Sequence, residues 1–362
     1  MNFKQSLCIL FLIAVVALNG CSKNSSPKPN STTTTKADTD VYAVGYVIKN
    51  HIYYATYWKN GIATTLNNGN VNAIAYSLAL SGNDVYIAGT TLASNQIYTA
   101  AYWKNGVIHK LADSANVSSA TSIAIKNNDV YMTGYENQTG PLESIAIYWK
   151  NAVATILPGG TYGAGAGAIT LNGNDVYIAG YAENIDRAPL AAYWKNGALT
   201  MLPAATINQF SIGYASGIVV GANGVITSGY LVNGYGESKI AYWAGNTLTT
   251  NNANVVSSLS YAAALKGNDV YMAGDTLSDI GGIQTAACWK NGTIVNLANG
   301  GVGSDAYAIA TAGNDIYVGG FYGAHKIQNA PFLGKAVYWK NGTTVQLSSD
   351  TSNVYGLTIV TH

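Results

Sequence analysis

The tripeptide Asp-Val-Tyr starts at Asp40, Asp84, Asp129, Asp175 and Asp269, and Asp315-Ile316-Tyr317 is a near copy. Gly224-Val225-Ile226 occupies a degenerate seventh place. Each run is followed by an aromatic-Trp segment, at Trp58, Trp103, Trp149, Trp194, Trp243, Trp289 and Trp339, which are all seven tryptophans of the 362-residue chain. Successive copies lie 44 to 50 residues apart. A period of that length marks a unit that cannot bury its apolar face alone and must stack on its neighbours.

Within one period the pattern predicts four short strands. In the second copy these are AIAYSLAL (73–80), DVYIAGT (84–90), YTAAYWK (98–104) and VIHKLA (107–112), termed A to D. Gly82-Asn83 and Asn105-Gly106 are hairpin turns, the second a strong signal for a two-residue loop. Seven such units predict an all-β, seven-bladed β-propeller with four antiparallel strands per blade. The first Asp-Val-Tyr has no strand A before it, and NVYGLTIVT (353–361) follows the last complete unit. That C-terminal strand is expected to pair into the first blade and close the ring, which removes the exposed edges of an open array.

Residue types agree with a wedge-shaped blade. Strand A is rich in Ala, Ser and Gly, as crowding near an axis requires, while Val, Tyr and Trp on strands B and C supply bulk further out. The repeated Asp is expected to accept backbone N–H groups of its turn, and the Lys before Asn-Gly to stay solvated. Forty glycines and 27 tyrosines fit short strands and tight turns. A net charge of +1 with 10% charged residues provides no field for nucleic acid.

The N-terminus reads separately. Lys4 and an apolar core from Leu7 to Leu18 have the plan of a signal peptide over 1–20. Leu18-Asn19-Gly20-Cys21 resembles a bacterial lipobox, and the resemblance implies that Cys21 is lipidated and anchors the protein in the cell envelope, with the outer membrane as the expected location. The Ser/Thr/Pro-rich stretch of 21–39 reads as a flexible tether, leaving 40–362 as the propeller. Cys288 is then the remaining cysteine, a packed and inert thiol in place of the repeated Tyr.

Chemical motifs are sparse. The six aspartates lack the alternating ligands of a calcium loop, and the four histidines have no metal-ligand spacing, so no metal, cofactor or catalytic residue is assigned. In an up-and-down blade the short A–B and C–D turns share one face, while the long B–C and D–A loops share the other. Those long loops differ in every blade, and variable loops on a rigid scaffold are where recognition is expected. Candidate ligand-binding residues there are Tyr135, Glu136, Tyr181, Glu183, Arg187, Tyr230, Glu237, Phe321 and Tyr322, with Tyr162, Tyr214, Asp275, Asp279 and Lys326 among the other loop aromatics and charges.

The motif AYSLALSGNDVYIAG…AAYWKNGVIHKL resembles lipid-anchored seven-bladed propeller proteins of Bacteroidetes-type bacteria, and its layout is similar to the repeats of extracellular HAF-type proteins. The resemblance spans about 40 to 362 and implies fold and export without supplying catalytic residues. The leading expectation is a monomeric, lipid-anchored scaffold that binds a glycan or a protein partner through the B–C and D–A face. The alternatives are a structural component of an envelope assembly, or a lyase or glycoside hydrolase using Glu136, Glu183 and Glu237.

Overall fold

A computed structural model describes residues 39–67, 71–111, 116–137, 144–159, 162–204, 210–251, 255–278, 282–297, 302–324 and 334–362. The predicted signal peptide, Cys21 and nearly all of the tether lie outside these residues. So do Asp279, Lys326 and the loop pieces 138–143 and 325–333.

Among the described residues, twenty-eight strands form seven four-stranded antiparallel units; five are separate sheets, and the other two are joined into one eight-stranded sheet by a single parallel bridge, Ser238↔Ser257. Blade 2 comprises β4 (Ala73–Ser81), β5 (Asp84–Leu92), β6 (Tyr98–Lys104) and β7 (Val107–Lys110). The predicted strands A to C match these closely, and the fourth stops two residues short. Blade 3 follows with β8 (Ser118–Lys126) to β11 (Val153–Ile156), and blade 4 with β12 (Ala164–Asn172) to β15 (Ala198–Met201). Blade 5 runs from β16 (Phe210–Gly221) to β19 (Thr247–Thr250), and blade 6 from β20 (Ser257–Lys266) to β23 (Thr293–Asn296). Blade 7 is β24 (Gly303–Ala312) to β27 (Thr343–Gln346). Blade 1 takes β1 (Thr39–Lys49), β2 (Ile52–Lys59) and β3 (Ile62–Thr65) from the start of the chain and β28 (Ser352–Thr361) from its end.

The inner strands pack in a closed cycle, β28 on β4, β4 on β8, and so on through β24 back to β28. This is the seven-bladed propeller with the closure that the orphan C-terminal strand predicts. Serines at the start of several inner strands staple one blade to the one before. Ser118, Ser258, Ser304 and Ser352 each accept through Oγ the backbone N–H of a third-strand residue, namely Ala100, Ile240, Ala286 and Ala336, at 2.8–3.0 Å. The Ser352 staple holds blade 7 against the closing strand. All seven tryptophans are at most 1% exposed, in clusters built from two neighbouring blades.

The repeated polar residues form a clamp rather than the expected turn cap. Asp84 Oδ1 accepts from Asn105 Nδ2 at 2.7 Å, and its Oδ2 lies 2.9 Å from Lys104 Nζ. It is Asn105 Oδ1 that accepts a backbone N–H, that of Val85. Lys104 is not simply solvated, since its ammonium sits 5.1 Å from the Tyr86 ring centroid. The same set recurs in blades 1, 3, 4, 6 and 7, with Lys–Asp distances of 2.7–3.0 Å. Blade 5 has Gly224 and Ala244 at the Asp and Lys places and lacks the clamp. Each pair is partly exposed to solvent, so its contribution is small and screened by salt.

Asn105 (φ 50°) and Gly106 (φ 81°) give the C–D turn two left-handed residues, which explains the repeated Asn-Gly.

Candidate functional site

Every inner strand has a register shift at the same place, where one extra residue is inserted opposite strand B. A bulge of this kind re-aims its extra side chain. The bulged residues are Tyr355, Tyr76, Thr121, Gly167, Ser216, Tyr261 and Tyr307 in blades 1 to 7, and all seven line a central cavity of about 210 Å³.

The ring is lopsided. Blades 6, 7, 1 and 2 place tyrosines at the bulge, with Tyr261–Tyr307 and Tyr307–Tyr355 centroids 5.0 Å apart and Tyr76–Tyr355 5.4 Å apart. Blades 3 to 5 place Thr121, Gly167 and Ser216 there. Thr121 Oγ1 donates to the Ala166 carbonyl of the next blade at 3.0 Å, and Ser216 Oγ donates to that of Ser260. These small side chains leave room, and a cavity of about 370 Å³ opens over them.

Tyr135, Tyr181, Tyr214 and Tyr230 form much of its wall, joined by Tyr261, Asn137 and Ser144. Tyr214 meets Tyr181 edge-on at 5.2 Å and Tyr230 at 5.1 Å. Tyr135, Tyr181 and Tyr230 each follow the repeated Gly of strand B, so the register carries them to one level of the channel mouth. Burial raises the hydroxyls of Tyr135, Tyr181 and Tyr214, and pushes Tyr230 up to about 12. All four are therefore neutral donors and acceptors at physiological pH, on rings that offer apolar faces.

The other predicted residues do not line this cavity. Glu136 Oε1 accepts from Asn116 Nδ2 at 2.9 Å, and Glu237 Oε2 from Asn233 Nδ2 at 2.8 Å. Glu183 packs near Gly163 and contributes to the raised Tyr181 and Tyr214 hydroxyls. The Arg187 guanidinium lies 4.7 Å from the Tyr162 ring centroid. Phe321 is buried 6.3 Å from Tyr307, and Tyr322 packs against the core cluster that contains Trp339. Both Phe321 and Tyr322 belong to strand β25 (Asp315–Ala324) rather than to a loop.

Two buried carboxylates adjoin the mouth. Asp275, on β21 (Asp269–Leu277), takes the place after the repeated Gly that Tyr135, Tyr181 and Tyr230 take elsewhere. Asp305, on β24, pairs with Phe321 at the same place in blade 7. Tyr307 donates to Asp305 Oδ2 at 2.9 Å, while Tyr261 and Gln284 lie beside Asp275 and favour its charged form. Burial pushes Asp275 up to about 6, and burial followed by the charge of Asp275 pushes Asp305 up to about 7. In the sequence Asp275 reads as a loop charge and Asp305 carries no signal of its own, yet both lie in strands. Aligning the units on the repeated Gly exposes the signal: Tyr46, Thr90, Tyr135, Tyr181, Tyr230, Asp275 and Phe321 share one position.

No protein-family model matches the chain, and no curated protein does. Among solved structures it is similar to a puromycin hydrolase S511A mutant complexed with PGG (10% identity, TM-score 0.56, 86% of this chain and 52% of that one). A Mycobacterium tuberculosis puromycin-hydrolyzing peptidase gives 9% identity and a TM-score of 0.53 over 84% of this chain and 53% of that one. The β-propeller domain of the Trilobed protease from Pyrococcus furiosus gives 13% identity and a TM-score of 0.46, over 87% and 96%. The chain spans about half the length of the first two, and at these identities the likeness concerns the fold alone.

Proposed function

We propose that this chain is a lipid-anchored envelope protein that binds a glycan at the channel mouth over blades 3 to 5. The observation that supports this reading is the cavity walled by Tyr135, Tyr181, Tyr214 and Tyr230 above the small residues Thr121, Gly167 and Ser216. A concave site of this size with aromatic walls and a few hydroxyl groups suits a saccharide ring better than a flat protein surface. Aromatic faces stack on the C–H face of a sugar, and the phenol and serine hydroxyls meet its edge.

Screening a panel of immobilised glycans, followed by calorimetry on each hit, tests the site. Tyr181→Ala and Tyr230→Ala should each weaken binding at least about tenfold, the loss of roughly 1.4 kcal/mol. Unchanged affinity in both variants would overturn the assignment. Anchoring at Cys21 is tested separately: Cys21→Ser should move the protein from the membrane fraction to the soluble fraction. Retention in the membrane would count against the lipid anchor.

A further inference from the structure

Three buried acceptor oxygens without a donor sit on one level of the ring in successive blades. They are Asp275 Oδ2 in blade 6, Asp305 Oδ1 in blade 7 and Asn353 Oδ1 in blade 1. Their residues are 2%, 4% and 2% exposed. Register places them together in height: Asp275 follows the repeated Gly of its blade, and Asp305 and Asn353 lie opposite the residues that do so in theirs, Phe321 and Tyr46.

A buried acceptor left unpaired costs on the order of 1–3 kcal/mol, more when it carries charge. Two carboxylates that repel one another add to that cost. The titratable and polar groups that face the cluster are Tyr230 from β17 (Gly224–Asn233), Tyr261 from β20, Gln284 from β22 (Gln284–Lys290), Tyr307 from β24 and Tyr355 from β28. These are neutral hydroxyl and amide groups, so the cluster offers negative charge and aromatic faces.

We infer that Asp275, Asp305 and Asn353 receive an ammonium group of the ligand, which makes the preferred glycan one with a free amino sugar. This rests on the glycan-binding reading of the adjoining cavity. An ammonium carries three N–H donors, matching three acceptor oxygens. The surrounding tyrosine rings favour an organic cation through their faces. A calcium ion takes six to eight oxygen ligands, whereas no group of three or more His, Cys, Asp and Glu is present among the described residues. Tyr230 and Tyr261 belong to the cavity wall and also neighbour Asp275, so they connect the two regions. A sugar over Thr121, Gly167 and Ser216 would thus direct its amino end toward blades 6 and 7.

Calorimetry at pH 7.5 with a glucosamine trimer and its fully N-acetylated counterpart separates the two proposals. The amine form should bind about tenfold or more tightly, as expected for a charge-assisted hydrogen bond. Its titration at pH 6 in buffers of different ionisation enthalpy should show proton release, because there the amine is already charged and its binding drives Asp275 and Asp305, raised to about 6 and about 7, to ionise. Asp275→Asn and Asp305→Asn should abolish the preference and the proton release while leaving the acetylated trimer unaffected. Thermal melts of both variants report whether they fold.

Equal affinity for the two trimers, with both bound, would overturn the ammonium assignment and leave the glycan site standing. Equal weakening of both trimers by Asp275→Asn would do the same. Binding of neither trimer at millimolar concentration would overturn the assignment at its base. Stabilisation by calcium alone that disappears in Asp275→Asn would replace the ammonium with a metal.

Discussion

A β-carbon added to Gly134 would lie 1.8 Å from the carbonyl oxygen of Ser119. The inner-strand bulge drives that carbonyl against strand B, and the same contact recurs at Gly45, Gly89, Gly180, Gly229, Gly274 and Gly320, between 1.8 and 2.1 Å. The neighbour is backbone, so no rotamer change relieves the clash. Gly134→Ala should therefore lower stability by about 3 kcal/mol or more, within the range of severe core disruptions. Comparing its thermal midpoint with that of Ala164→Gly, which removes a methyl group instead, separates the bulge clash from ordinary packing loss. A midpoint within a degree of the parent would refute the role given to the bulge.

Blade 3 carries Ala152 where the other clamped blades have glycine in the C–D turn. Its φ is 65°, in the left-handed region that costs a residue with a β-carbon roughly 1 kcal/mol. Ala152→Gly removes that strain, while the greater freedom of glycine in the unfolded chain gives part of it back. A stability gain of about 0.5 kcal/mol is expected, readable as a raised midpoint in chemical denaturation. A lowered midpoint would contradict the turn assignment.

Repetition made the architecture legible and obscured the site. Blade count, strand order and closure follow from Asp-Val-Tyr, the Trp hairpin and the orphan strand at 353–361, because each marks a backbone event that every blade shares. Tyr135, Tyr181 and Tyr230 were also within reach, although as loop residues rather than as strand residues aimed at the axis. Tyr261, Tyr307, Asp305 and Asn353 were not. Their position depends on a bulge that leaves no residue signature of its own on strand A. The repeated Gly opposite it was visible, but its cause lies in a partner strand.

Stability against pH should show a maximum on the acid side of neutrality. In the six clamps the Asn side chain and the Lys ammonium hold the aspartates below the usual range, Asp40 at about 2. A carboxyl depressed on folding contributes stability above its unfolded value near 3.8, which is lost as pH falls toward 2. Asp275 and Asp305 act in the opposite direction. Raised to about 6 and about 7, they favour the folded state when protonated, and that contribution is lost as pH rises from about 4 to 7. The thermal midpoint of the ligand-free protein should peak between about pH 4 and 5. Asp275→Asn with Asp305→Asn should flatten the decline toward neutral pH and leave the acid limb intact. An unchanged neutral limb would mean that the two carboxyls do not titrate as described.

Ring closure depends on β28. Its pairing with β1 runs from Thr39↔Thr361 to Val47↔Ser352, and Val354 is fully buried in the cluster with Ala43, Trp58 and Ala336. Ending the chain at Thr351 would strip the inner strand from blade 1, break the packing of β24 and β4 against it, and expose the β1 edge to other chains. The truncated protein should run as aggregates in size-exclusion chromatography, while a chain lacking only His362 should stay monodisperse. Adding a synthetic peptide of residues 351–362 should restore part of the monodisperse fraction, because the strand contributes through pairing rather than through its covalent link. A truncated protein that stays monodisperse with an unchanged thermal midpoint would show that the ring holds without its closing strand.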